Sequence, residues 1–413
     1  MEEPDDPALA KPHRPCMLPL ALSHYTLTNA LGAGKVATLN GLRAGLSGLE
    51  ACHLERVDYP CYIGRVKGLE DLDFPEDFKA FDCRNHRLAW MALAQDHFEA
   101  AVRKTLDRHG AERIAVVMGT STSGIESSET AYRQRNPEGR LPPDFKYQGA
   151  QNTAAPAAFI KAYFGIQGPA FTVSTACASS AQVFVSAQRL LSAGWVDAVL
   201  VGGVDSLCLT TLHGFHSLEL VSQSPSKPGD AKRSGISIGE AAGFALLERA
   251  SGQSSPIQLI GMGESQDAHH MASPHPGGLG ARLAMQRALT SAKIPPEAID
   301  FVLLHGTGTL TNDAAEDAGI SGLLGPKVPC ASIKGAIGHT LGAAGITNAL
   351  VGALCLELQF SPGTQNTQTP DPTLKIDLRL APEARVMERL MTNAFGFGGI
   401  NTSLILARNA KGP

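Results

Sequence analysis

The sequence predicts an α/β fold. Three observations carry the prediction. Short apolar strands alternate with helical stretches. Glycine is abundant, at 43 of 413 residues, and is scattered among apolar segments, which suits tight βα turns and close backbone approaches. No sustained linker or low-complexity run breaks the alternation.

The elements follow in chain order. Ile114–Met118 (IAVVM), Ala198–Val201 (AVLV), Phe244–Leu247 (FALL) and Phe301–Leu304 (FVLL) read as buried strands, because continuous aliphatic runs suit a sheet covered on both faces. His86–Arg108, Ala178–Ser192, Ala281–Ala292 and Gly342–Leu358 read as helices. Glu126–Gly149 is polar and proline-dotted and reads as a surface excursion; Gln365–Leu374 reads as loop. The halves echo each other. IAVVM runs into GTSTSG, and FTVSTA then enters an apolar helix at Cys177; FVLL runs into HGTGT, and CASIKGAIGHTLGAAG then enters another. The echo suggests a duplication with its boundary near Ser251–Ser255. The expected division is an N-terminal half over 17–252 and a C-terminal half over 253–413, after an acidic, proline-rich N-terminus over 1–16 that reads as a mobile tail.

Composition excludes several classes. Hydrophobic residues make up 43% and charged residues 18%, as in a globular protein with a sizeable core. Net charge is −4 with no basic run, so nucleic acid is not expected as a partner. None of the eight cysteines forms a CxxC pair, and no His/Cys cluster has zinc spacing. Reduced thiols, a cytoplasmic location and no metal are expected. The N-terminus, MEEPDDPALAKPHRP, is acidic and proline-rich, unlike a signal or transit peptide. The most apolar stretch, Ala349–Phe360, contains Glu357 and is too short for a bilayer. It reads as a buried helix, with no membrane insertion.

Four segments carry candidate chemistry. In FTVSTACASSAQVF, Cys177 falls where a strand turns into a helix N-terminus. Free N–H groups and the helix dipole favour a thiolate there, and the same groups suit an oxyanion. A small buried hydrophobe is the other reading. In LLHGTGTLTNDAAED, His305 ends a strand and opens a loop, Thr307 and Thr309 offer hydroxyls, and Asp313 and Glu316 fall in the first turn of the next helix. Helix capping accounts for the acids equally well. In SIKGAIGHTLGAAG, Lys334 and His339 lie five apart among small residues, where a cation and an imidazole need partners if buried. NAFGFGGIN suggests a turn whose backbone approaches something closely. A rival motif, GAGKVA at Gly32–Ala37, fits a dinucleotide fingerprint with Glu50 and Glu55 near the ribose-acid spacing, but HYTLTNAL before it is a poor buried strand.

Taken together, TACASS, HGTGT, KxxxGH with a following GAAG, and NAFGFGG resemble the elongating β-ketoacyl-[acyl-carrier-protein] synthases, in order and in rough spacing, from about Leu18 to Ala407. Priming synthases use Asn for the second His. Thiolases use a second Cys near the C-terminus, and none lies beyond Cys355 here. Chain-length factors lack the nucleophile. The resemblance implies a thiolase-like fold, two similar βα halves in five layers αβαβα, as a homodimer or as a heterodimer with a related ketosynthase or chain-length-factor subunit. It implies that Cys177 accepts the acyl group, with its own N–H and that of Phe397 as oxyanion hole. His305 and His339 would hold the malonyl thioester oxygen. Lys334 would orient the network through Glu316, with Asp313 in support. Thr307 and Thr309 would contact the phosphopantetheine arm, and Phe397 would gate the nucleophile. Gly124 and Ile125 would line the acyl pocket. No permanent cofactor is implied, since substrates ride on the phosphopantetheine of an acidic acyl carrier protein. Arg84 and Arg87, in FDCRNHRLAW, are the docking candidates, with a solvated helix face as the other reading.

The chain departs from the family in two places. It has Asn348 where Glu is usual. In PGDAKRSGISIGEAAG, Gly229, Ser234, Ile236, Ser237 and Ala241 replace the usual residues. These changes suggest a specialised, polyene-type or other secondary-metabolite synthase. They leave open a weakly active partner subunit. A nicotinamide-dependent oxidoreductase built on GAGKVA is the third reading.

Overall fold

The computed structural model describes residues 17–250 and 255–409. The expected tail over 1–16 and the boundary at 252/253 lie outside them.

Ten of the twelve strands of the main sheet form the frame. In the N-terminal half they are β1 (Leu20–Asn29), β2 (Ile114–Gly119), β3 (Ala170–Val173), β4 (Ala198–Asp205) and β5 (Ala241–Arg249). In the C-terminal half they are β6 (Ile257–Gln266), β7 (Phe301–Leu303), β8 (Pro329–Ala331), β9 (Arg389–Gly396) and β10 (Ile400–Arg408). In the first half β3, β2 and β4 pair in parallel, and β5 and β1 follow antiparallel. The second half repeats this: β8, β7 and β9 are parallel, and β10 and β6 follow antiparallel. The pattern that was a faint echo in sequence is a matched topology in space. A two-residue antiparallel pairing, Leu20 with Leu259 and Ala21 with Gln258, joins the halves.

Two helices fill the space between the two halves of the sheet. Ser179–Ser192 follows Cys177, and Ala344–Leu358 follows His339. Residues Ala344–Leu356 are buried on every face, as a central-layer helix must be. The wider segment Leu341–Leu358 is long and apolar enough to cross a membrane, but 89% of it lies inside the protein. The helices meet closely: a Cβ on Gly345 would lie 2.3 Å from the Ala181 nitrogen, and the Ile346 N–H donates to Ser180 Oγ at 2.9 Å.

Several boundaries differ from the sequence reading. The strand read at Ala198–Val201 continues through two glycines to Asp205. A side chain at Gly203 would sit 2.5 Å from Ser180 Cβ, so glycine there admits the nucleophile helix. The helix read over His86–Arg108 is two, Arg84–Leu93 and Phe98–His109. Asp96 and His97 break it with φ of 55° and 56°, and the Asp96 carboxylate accepts from Thr26 Oγ1 and the Lys35 N–H. Glu126–Gly149 opens on a helix, Ile125–Arg133.

The dinucleotide reading fails on topology. HYTLTNAL does contribute to a buried strand, β1, whose hydroxyls at Thr26 and Thr28 are internal. That strand pairs antiparallel with both neighbours, whereas a dinucleotide fold opens on a parallel crossover. The N-terminus of the helix after GAG already holds the Asp96 carboxylate, where a phosphate would bind.

Candidate active site

Cys177 stands on a strained elbow. Ala176, just before it, has φ of 49°, a left-handed conformation that costs a non-glycine residue about 1–3 kcal/mol. Ser179 holds the turn: its Oγ accepts the Thr175 N–H at 2.9 Å and donates to the Ala176 carbonyl at 2.6 Å. The elbow lifts the thiol to the floor of a cavity that His305, His339, Phe215, Phe395 and Phe397 also line. The cavity has about 60 Å³ of room.

The loop after β9 completes the elbow. A Cβ on Gly396 would sit 3.0 Å from the Thr175 carbonyl and 3.4 Å from the Cys177 nitrogen. This is the close backbone approach expected of NAFGFGG. It brings the Phe397 N–H to the sulfur, beside the N–H of Cys177 itself. Phe397 is half-buried, with its ring 5.5 Å from that of Phe215.

One sequence expectation is reversed here. Burial pushes the Cys177 thiol up to about 11; Lys334 and the two N–H groups pull the other way, and Asp205 adds to the rise. The helix terminus does not offset the lost hydration, so the resting group is a thiol. Alkylation by iodoacetamide is therefore expected to speed up about tenfold per pH unit between pH 7 and 9.5, because the thiolate reacts. A rate already level below pH 8 would contradict this.

Donor atoms of Cys177, His305 and His339 all lie within 4.8 Å of one another. The two rings meet edge to face at 5.3 Å. Burial holds both imidazoles well below their ordinary range, and Lys334 reinforces this for each. Both are neutral at pH 7. Three such donors would also suit a metal ion, but the tautomer decides otherwise. The Leu341 N–H donates to His339 Nδ1 at 3.2 Å, which leaves Nε2 to carry the proton. A metal-binding histidine needs a bare nitrogen toward the ion, with its other nitrogen donating outward. The arrangement at His339 is the reverse, and it suits an oxyanion.

His305 is held by its backbone. Glu316 accepts the N–H groups of His305 and Gly306 at 2.8 Å each. Lys334 Nζ donates to the His305 carbonyl. The sequence reading routed Lys334 through Glu316. In the structure the two instead clamp neighbouring peptide groups of the same turn, with no ion pair between them. Burial drives both toward neutrality, raising Glu316 and lowering Lys334. Asn393, which the sequence reading passed over, donates to Glu316 at 3.1 Å. The acids are not caps, because Thr309 is the N-cap of helix Leu310–Leu323. Asp313 accepts the Gly229 N–H at 2.9 Å and lies 3.4 Å from Arg233. Thr307 and Thr309 line the cavity with their hydroxyls 2.9 Å apart.

Other candidates lie elsewhere. Gly124 and Ile125 do not line this cavity; Gly124 packs on Ala150, whose carbonyl a Cβ would meet at 2.6 Å. Arg84 is mostly buried and is spent on Glu240 and Glu70. Arg87 pairs with Asp82 and with carbonyls of Leu69, Glu70 and Leu72. Both guanidinium groups are already ion-paired, Arg84 largely buried and Arg87 partly exposed.

A doubled βα frame with a buried thiol at one helix N-terminus and two neutral imidazoles at the facing ends defines a thiol acyltransferase of the condensing type. The profile of the β-ketoacyl synthase N-terminal domain matches residues 76–253, and that of the C-terminal domain matches 258–368. The chain is 33% identical over 398 residues to the 3-oxoacyl-[acyl-carrier-protein] synthase 2 of Vibrio cholerae, covering 89% of this chain and 93% of the relative. Among solved structures it is similar to a Xenorhabdus doucetiae ketosynthase in complex with its chain length factor, with 38% identity and a TM-score of 0.87 over 95% and 98% of the chains. The ishigamide ketosynthase/chain length factor aligns at 26% identity and a TM-score of 0.84, over 95% and 100%. The chain belongs to the β-ketoacyl synthase family, with its thiolase-like αβαβα fold, and is an acyltransferase.

The departures have structural places. Asn348 Nδ2 donates to the carbonyls of Leu304 and Asn393, which an ionised glutamate could not do. Gly229 has φ of 71°, and a Cβ there would strike Leu378 at 2.6 Å. Ser234 Oγ meets Ser222 Oγ at 2.9 Å, and Ser237 Oγ accepts the Ser226 N–H. Ile236 lines the cavity. Nothing in the structure explains Ala241 beyond its burial.

Proposed function

We propose that this chain elongates carrier-bound acyl chains by decarboxylative Claisen condensation, in fatty-acid, polyene or polyketide-type assembly. The observation that carries the reading is the convergence of the Cys177 thiol with two neutral imidazoles, one fixed as an Nε2–H donor. Cys177 attacks the acyl thioester; its proton leaves with the carrier thiol, and the N–H groups of Cys177 and Phe397 hold the oxyanion. Malonyl thioester then enters, and His305 and His339 donate to its carbonyl oxygen. Carbon dioxide departs, and the electron pair it leaves behind forms the enolate those donors stabilise. The enolate carbon attacks the Cys177 thioester, and the sulfur leaves as thiolate, which takes up a proton from solvent to restore the resting thiol.

Lys334 and Glu316 serve by holding the His305 turn, and Asp313 by holding the 229–233 loop. Thr307 and Thr309, lining the cavity, receive the phosphopantetheine arm of an acyl carrier protein, and no resident cofactor is needed. The small cavity admits the thin end of that arm. An acyl chain needs more room, through movement of Phe397 or a second subunit. The solved relatives carrying a chain length factor make a related subunit the favoured partner, with a homodimer the other arrangement. The proposed setting is soluble and cytoplasmic.

The test is condensation itself. Purified chain, alone and with a co-expressed related subunit, is mixed with acyl- and malonyl-carrier protein. A 3-oxoacyl-carrier product extended by two carbons is expected. Absence of product in every pairing, from folded protein, would contradict the reading and favour a non-catalytic partner subunit.

A further inference from the structure

Asp205 ends β4 between the two halves, is fully buried, and was singled out by no motif. Its carboxylate takes donors from both sides. From the loop after β2 come Thr120 Oγ1 at 2.5 Å, the N–H and Oγ of Ser121, and the N–H and Oγ1 of Thr122. From the other half comes the Gly342 N–H at 2.6 Å, to Oδ2. A carboxylate with this many donors is fixed in place. A Cβ on Gly342 would lie 2.8 Å from Oδ2, so glycine is what lets the turn reach it.

Each side leads to a reacting group. That loop leaves β2 at Gly119, where the strand end packs on the nucleophile helix: a Cβ on Gly119 would be 2.5 Å from Ser180 Cα. The turn Thr340–Gly342 follows His339. Its Leu341, with φ of 51°, supplies the N–H that sets the His339 tautomer. The residue next in chain to that donor is the one Asp205 grips.

We propose that Asp205 is a positioning residue for the condensation: by anchoring Gly342 to the loop under the nucleophile helix, it fixes the Leu341 N–H on His339 Nδ1 and so keeps the Nε2–H of His339 aimed at the malonyl thioester oxygen. This rests on the role given to His339 above. It predicts a selective defect, since acyl transfer to Cys177 uses the elbow N–H groups and decarboxylation uses the imidazoles.

The experiment measures the two half-reactions separately in wild type, Asp205→Asn, Ser121→Ala and His339→Ala. Acyl loading is read by intact mass, and carbon dioxide release from malonyl-carrier protein by its initial rate. For Asp205→Asn we expect decarboxylation kcat to fall at least tenfold at similar KM, with loading within about threefold of wild type. Nitrogen-15 histidine spectra, with His339→Ala for assignment, should show the His339 Nδ1–Nε2 preference lost. Ser121→Ala removes one donor at a half-buried site and should fold even if Asp205→Asn does not. It should lower decarboxylation about threefold with loading unchanged. Equal loss of both half-reactions, or an unchanged tautomer, would mark Asp205 as merely structural. Normal decarboxylation in Asp205→Asn, or in Ser121→Ala where that is the variant that folds, would overturn the inference. Normal decarboxylation in His339→Ala would instead overturn the role of His339, whatever Asp205 does.

Discussion

His305→Ala and His339→Ala are each expected to lose about 10²–10³-fold in malonyl decarboxylation, the range found when one oxyanion donor is removed. Acyl loading of Cys177 should survive in both, because its oxyanion donors are backbone N–H groups. The loss follows from charge. Neither ring holds a proton in excess at pH 7, so each acts by donating one N–H to an oxygen that gains negative charge. Burial makes that donation strong, since no water competes for it. The double variant should lose little more than the worse single one if the donors act as a unit. The check is carbon dioxide release from malonyl-carrier protein, with loading measured in parallel. Decarboxylation that falls less than tenfold in both variants would leave the enolate without its proposed support.

Cys177→Ala has the second large effect. Condensation should fall by about 10³-fold or more, because the covalent acyl intermediate cannot form. Decarboxylation of malonyl-carrier protein should persist, because His305 and His339 do not depend on the sulfur for their positions. His339 is set by Leu341, and His305 by Glu316 and Lys334 on its own backbone. Product analysis separates the outcomes: acetyl-carrier protein without 3-oxoacyl product is expected. Loss of both reactions in a folded variant would mean that the thiol takes part in decarboxylation.

Much of the site was legible because its chemistry sits in contiguous motifs. Cys177, His305, Lys334 and His339 each stand at a strand or helix end flanked by glycines or small residues, and such positions announce close approach. The fold class was legible from aliphatic strands such as IAVVM and FVLL. What escaped depended on long-range contacts. Asp205 follows two glycines, and nothing near it in the chain hints at donors from residues 120–122 and 342. Asn393 lies inside a quoted motif, but its partner Glu316 is remote in sequence. β1 was misjudged because the Thr26 hydroxyl looks solvent-facing until its acceptor, the Ala92 carbonyl, is seen. Arg84 and Arg87 look like a basic rim, yet Arg84 is paired with Glu240, far away in the chain, and Arg87 with Asp82 of its own segment. The Cys177 thiol was misjudged because helix position is local and burial is not.

Intact-protein mass spectrometry tests the central claim most directly. Wild type and Cys177→Ala are mixed with a panel of acyl-carrier thioesters. The account predicts a mass gain of one acyl group on wild type, for at least one donor, that is absent from Cys177→Ala. A gain of equal size in both proteins, or none in either from any donor while malonyl is still decarboxylated, would contradict the assignment of Cys177 as the acyl carrier.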